Sequence, residues 1–316
     1  MSAPLPNPAP ATVHSGVTAH SRRDQTLGLW LGVLGVAIFA VTLPATRMAT
    51  GSAADPQLSP WFVTTGRAAL AGLLSALFLL ATRSPRPQPS QWKHLGWALL
   101  GNVLGYPLLL AFALRSVTAS HAAVITALLP LVTAAVAALV LHQRARLGFW
   151  LFAVLGSLLV VAFSLLRGWQ QGHGWFSLEA ADALLVGGVV AASVGYIHGA
   201  HVTPALGAER VICWVCLMAL PVSLPAAFWL WPAQPVAPSA WAAFVYLGVF
   251  SMWAGFFAWY RGLALGGALR VSQTQLLQPF LSILAAALLL GETLDLVTLG
   301  FAAAVITTVY LGKDAR

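Results

Sequence analysis

Few residues in this chain could do chemistry, and their spacing says where to look. Thr42 and Thr46 stand four apart, as do Asn102 and Tyr106, so each pair shares one face of a helix. Thr126 and Gln275 each stand four residues ahead of a proline, Pro130 and Pro279. A proline inside a helix leaves the carbonyl four residues earlier without its helical donor. At both positions a free backbone acceptor would therefore coincide with a polar side chain. In hydrocarbon that pair is costly; beside a hydrated cavity it is a site for an ammonium or amide donor. The same side chains could instead re-satisfy a kinked backbone or join one helix to the next. Tyr196 and Trp253 offer aromatic surface to an apolar or cationic ligand, or to a neighbouring helix. The expected substrate-binding set is Thr42, Thr46, Asn102, Tyr106, Thr126, Tyr196, Trp253, Gln275 and Gln278, with helix kinks at Pro44, Pro107, Pro130 and Pro279.

Other chemistries lack their parts. His198 and His201 have a spacing that could hold a metal, but no carboxylate or cysteine joins them, so neither metal nor cofactor is expected. Cys213 and Cys216 lie inside an apolar run and read as small packing residues. No phosphate-binding loop of the Gly-x-x-x-x-Gly-Lys-Ser/Thr type is present. A hydrolase needs an activated serine, an acid pair or a metal. The eight acidic residues, Asp24, Asp55, Glu179, Asp182, Glu209, Glu292, Asp295 and Asp314, fall in tails, loops or at the edge of a span. No catalytic residue is assigned, and an enzyme is not expected. The same distribution argues against obligatory proton coupling, with His198 as the nearest titratable alternative. His121 is expected as a solvated histidine at the outer end of its span. Arg67 is the one cation inside a span, apart from any cluster.

These residues must be positioned by helices in a membrane. The chain has 316 residues; 59% are apolar and 8% charged, against about a quarter charged in a soluble domain. Runs of roughly 20 apolar residues can each cross a bilayer. Ten are read, at about 28–47, 60–82, 95–114, 121–141, 148–166, 182–200, 208–231, 241–261, 271–290 and 295–312. Twelve Lys and Arg, among them Arg22, Arg23, Arg83, Arg86, Arg144, Arg146 and Arg270, fall on one side of that arrangement. Three, Arg47, Arg115 and Arg167, fall on the other. Positive charge stays inside, so both termini are expected in the cytoplasm. The scattered basic residues form no patch for nucleic acid. Gly28-x-x-x-Gly32, Gly101-x-x-x-Gly105 and Gly195-x-x-x-Gly199 would let helices approach closely.

A shift of 149 residues places Asn102 on Ser251, Thr126 on Gln275, Pro130 on Pro279 and Thr133 on Ser282. With five helices in each half, the second half must be inverted. The basic HQRARL (142–147) and the acidic GETLDL (291–296) then occupy one structural position on opposite sides. The expected divisions are a disordered cytoplasmic tail 1–27, a first repeat 28–166, a second repeat 180–312 and a tail 313–316. Inverted repeats with a site at their interface point to transport.

The segment LQPFLSILAAALLLGE, Leu277 to Glu292, resembles the penultimate helix of the drug/metabolite transporter superfamily, and more narrowly its ten-helix EamA-type permeases. The first-half copy, LLPLVTAAVAALVLHQ from Leu128 to Gln143, keeps the proline and lacks the Gly-Glu. Arg67 resembles the early arginine of that family's second helix. The resemblance implies an all-α integral membrane fold of two inverted five-helix repeats. It also implies a secondary transporter of the bacterial inner membrane, exporting amino acids, including the aromatic type, or similar metabolites. The expected partners are a small-molecule substrate and the lipid bilayer, and the expected unit is a monomer. An organic-cation exporter of the same superfamily is the alternative, although the carboxylate such exporters use in the first helix is missing. A sugar-nucleotide or phosphate carrier would need more mid-membrane cations than Arg67, and an intramembrane enzyme or scaffold ranks lower still.

Overall fold

A computed structural model describes residues 22–140, 147–170, 180–266 and 271–314. Residues 1–21, the basic loop with Arg144 and Arg146, Glu179 and Arg270 lie outside the described residues. Ten helical spans follow one another. They are α1 (Arg22–Ala40 and Thr42–Thr50), α2 (Pro60–Ala81), α3 (Pro89–Ala113), α4 (Ala119–Thr126 and Leu129–Val140) and α5 (Leu147–Gln170). The second half repeats the count: α6 (Ala180–Leu206), α7 (Ala208–Trp229), α8 (Pro238–Tyr246, Leu247–Ala254 and Gly255–Gly266), α9 (Ser272–Leu277 and Gln278–Leu290) and α10 (Leu296–Asp314). Among the described residues no strand forms; one isolated bridge joins Gly51 and Pro56. A helix satisfies its own backbone, as a span in lipid requires. Six spans are long and apolar throughout, and the apolar stretches in α4, α5, α9 and α10 are shorter. The short ones are the last two of each half.

Local sequence sets the ends. Ser59 accepts from the backbone N–H of Phe62 and Pro60 follows it, so α2 begins with a cap and a residue that has no N–H to satisfy. Thr118 caps α4 by accepting from the N–H of His121 at 3.1 Å. Gly291 ends α9 at φ +68°, a conformation that a side chain would strain. Its N–H reaches Ala287 O and the N–H of Glu292 reaches back to Ala286 O.

The irregular stretches also come in pairs. α3 widens into a π-helix over Leu99–Gly105, and α8 does so over Leu247–Ala254. Those stretches hold Asn102 and Ser251, which the 149-residue shift aligns. α4 breaks after Thr126 and α9 tightens into a 3₁₀ helix over Ser272–Leu277. In both, the proline then stands second in the next helical segment. Pro107 stands second in Tyr106–Ala113 and Pro44 third in Thr42–Thr50. All four prolines thus open a segment, where the missing N–H matters least.

Packing obeys the same exchange. α2 crosses α7, α4 crosses α9 and α5 lies along α10, each helix meeting its own repeat partner. α1 packs on α8, and α6, its counterpart, packs on α3. Glycine makes both of these contacts close. A Cβ on Gly262 would stand 2.9 Å from Gly28 O and from Gly32 N, and one on Gly101 would stand 2.3 Å from Ala191 O.

Candidate functional site

The site is built from the two proline-broken helices. Thr126, Ala127 and Pro130 of α4 face Gln275, Gln278 and Pro279 of α9 across one crevice, with room for about one water molecule. Gln275 and Gln278 are half-buried. Neither amide has a hydrogen-bond partner among the described residues. Thr126 differs: its hydroxyl donates back to Ala122 O at 2.9 Å, within its own helix. The freed carbonyl expected at Gln275 is not free. Because α9 tightens there instead of continuing as a straight α-helix, Gln275 O accepts from the N–H of Gln278.

The proline argument does hold at Pro44. The carbonyl four residues earlier is Ala40 O, and it accepts the Ser282 hydroxyl of α9 at 2.9 Å. In the other half, the Thr133 hydroxyl of α4 donates to Ser193 Oγ of α6 at 3.0 Å. Thr133 and Ser282 are repeat partners, and each donates one interhelical hydrogen bond, to a hydroxyl in one half and a backbone carbonyl in the other.

A second polar group lies where α1, α2 and α8 meet. Thr42 and Ser251 share a hydrogen bond of 2.8 Å between their hydroxyls, and Arg67 Nη2 donates to Ser251 Oγ at 3.1 Å. Thr46 donates to Thr42 O at 2.7 Å. Arg67 is only 3% exposed. Tyr106 and Cys216 lie within its electrostatic reach. Sequence spacing treats Arg67 as isolated. The structure adds what spacing cannot show: Ser251 and Thr42, remote in sequence, lie beside it.

The remaining predicted residues are dispersed. Asn102 is buried at the crossing of α3 and α6, and a Cβ on Gly195 would come within 2.4 Å of its Oδ1. Tyr196 is half-buried, edge-on to Phe256 at 6.4 Å. Trp253 packs against Phe257 at 4.7 Å and Phe78 at 6.3 Å. Cys213 and Cys216 are buried free thiols facing α2.

The Glu292 end of the bundle is more tightly tied than expected. His121 is not solvated: it is 6% exposed and its Nε2 lies 2.7 Å from Asp182 Oδ1 of α6. Burial on α4 required a partner, and that partner comes from another helix. Glu292 accepts from the N–H groups of Ala119 and Ser120, at 2.8 and 2.9 Å, so the acidic end of α9 caps the start of α4. Arg47 donates to Leu114 O beside it. A polar recess of about 390 Å³ opens among Ser116, Ser120, Glu292, Asp295 and Thr298. At the opposite end, His94 of α3 joins the histidines of α6. Its Nδ1 is 2.9 Å from that of His198 and its ring stacks on His201 at 4.2 Å. Stacked rings do not converge on a point, and no grouping fit for a metal occurs among the described residues.

Ten spans in two inverted halves, with broken helices crossing at corresponding places, define a polytopic membrane protein of the transporter class. The chain belongs to the EamA-like transporter family, which matches residues 26–166 and again residues 180–312. An "uncharacterized transporter YdeK" of Bacillus subtilis (strain 168) is 40% identical over 272 residues, covering 85% of this chain and 91% of that protein. A solved crystal structure superposes with a TM-score of 0.61 at 20% identity, covering 91% of this chain and 96% of its own, and so shares the fold.

Proposed function

We propose that the chain is a secondary transporter of the bacterial inner membrane, exporting amino acids or similar small metabolites by alternating access without obligatory proton coupling. Both termini are cytoplasmic, the unit is a monomer, and the halves 28–166 and 180–312 rock against each other. The observation that carries this reading is the pair of amides, Gln275 and Gln278, without partners among the described residues, at a crevice between two proline-broken helices. A half-buried amide without a partner is costly in a membrane unless a ligand or water completes it. Each amide offers both a donor and an acceptor, which suits a zwitterion. As the halves rock, the proposed path opens onto Thr42, Thr46, Asn102 and Thr126, buried or already bonded here, and onto the aromatic Tyr106, Tyr196 and Trp253.

The reading without proton coupling draws on the contacts of three of the eight carboxylates, each near the end of a span. Asp182 is engaged by His121, Glu292 by backbone N–H groups and Asp295 by Thr298. Liposomes loaded with a neutral amino acid test the proposal. Efflux is expected down the substrate gradient at equal pH on both sides. Uphill accumulation driven by a pH gradient alone would refute uncoupled transport and make His198 the first residue to mutate.

A further inference from the structure

Arg67 carries more than the family-level reading requires. It stands seven residues into α2, about 10 Å along the helix from Pro60. Its guanidinium is buried, and a guanidinium has five N–H donors in a planar fork. One of them is used, toward Ser251 Oγ. Nε is buried with no partner among the described residues. Among the described residues no carboxylate pairs with it.

Its surroundings lean the same way. The Trp253 indole N–H and the Ser75 hydroxyl are also buried, with only a weak thiol acceptor beside them. Both lie against the Cys213 thiol, one turn from Cys216, which is within electrostatic reach of Arg67. Ser251 is held in place by Thr42. Arg67 is therefore one full positive charge with unused N–H donors and, among the described residues, no counter-ion. A buried, unpaired charge is strongly unfavourable. A planar fork of N–H groups is completed best by a planar anion that accepts two bonds at once.

We infer that Arg67, tethered by Ser251, is the carboxylate subsite of the transport path, so that a carboxylate is the obligatory group of the substrate and an ammonium is not. The inference rests on the transport reading above and narrows it. Organic cations are excluded as substrates, because the subsite repels them. Carboxylic acids without an amino group are admitted.

The test uses three compounds that share one ring: phenylalanine, 3-phenylpropanoate and phenethylamine. Each is added to the purified full chain, and thermal stabilisation and liposome counterflow are measured. The two carboxylates are expected to stabilise the protein and to exchange, and the amine to do neither. Arg67→Gln is expected to weaken carboxylate binding by about 10- to 100-fold, as loss of a hydrogen bond to a charged group does. Arg67→Lys keeps the charge and is expected to fall between. Ser251→Ala frees the guanidinium and is expected to weaken binding less. The wild-type comparison stands even if a variant fails to fold. If the amine is exchanged as well as phenylalanine, transport stands and the carboxylate subsite falls. If Arg67→Gln folds and binds both acids unchanged, Arg67 is only a tether between α2 and α8. If none of the twenty amino acids, their deaminated acids or their amines is exchanged, the transport reading and the subsite fall together.

Discussion

Gln275 and Thr126 occupy one repeat position and differ in what their side chains already do. The Thr126 hydroxyl is spent on Ala122 O within its own helix; the Gln275 amide has no partner among the described residues and faces the crevice. Removing a group that serves only its own turn costs little, so Thr126→Val should lower transport mildly. Gln275→Ala should lower it several-fold while leaving the yield of folded, monodisperse protein unchanged. Counterflow and size-exclusion chromatography, run on the same preparations, separate the two effects. Full transport in Gln275→Ala would make the amide structural, and loss of monodispersity would assign it to helix packing. Much of this was legible in the sequence, because a proline four residues on from a polar side chain is a local pattern. What was not legible was non-local. The proline rule cannot say whether the freed carbonyl will be taken by a tightened turn, as at Gln275, or by a hydroxyl from another helix, as Ala40 O is by Ser282. Nor can a composition count reveal that His121 meets Asp182 across 61 positions, or that Arg67 meets Ser251 across 184.

Among the elements, α4 and α9 depend on each other at both levels where they meet. At mid-span their proline-started segments cross, and at one end the Gly-Glu of α9 turns back onto the start of α4. Gly291 makes that return possible, because its left-handed φ aims Glu292 away from the axis of α9. The carboxylate then satisfies two of the N–H groups that a helix start leaves open. Thr118 satisfies a third. Replacing Glu292 with Ala should destabilise the fold by about 1–2 kcal/mol, the scale of a lost helix cap strengthened by charge. Glu292→Gln keeps one acceptor and should cost less. Thermal or denaturant unfolding of the purified variants in one detergent measures both, and equal stability of the two would remove the cap from the account. The family motif pointed to this segment, but its partner had to come from the structure, since Ala119 and Ser120 present only backbone and no side-chain pattern marks them.

At the scale of the molecule, the internal two-fold was the most legible feature and the one the structure enriches most. The shift that paired Asn102 with Ser251 also pairs two π-helical stretches, and the shift that paired Thr133 with Ser282 also pairs two interhelical hydrogen bonds. Neither π-helices nor those bonds can be read from residue types. Both arise once similar helices pack in the same way twice. Inversion has a consequence that can be checked without any substrate. If the second half is upside down relative to the first, the positions 145 and 293, near the ends of α4 and α9, must lie on opposite sides of the membrane. The charge bias, twelve basic residues against three, puts the first inside and the second outside. Cysteines at Ala145 and Thr293 report this directly in whole cells. The native thiols, Cys213 and Cys216, are buried and should stay silent. Thr293→Cys should react with an impermeant maleimide from outside, and Ala145→Cys only after the cells are permeabilised. Labelling of both from one side would break the inverted repeat itself, whereas the reverse pattern would keep the repeat and turn the whole protein over in the membrane.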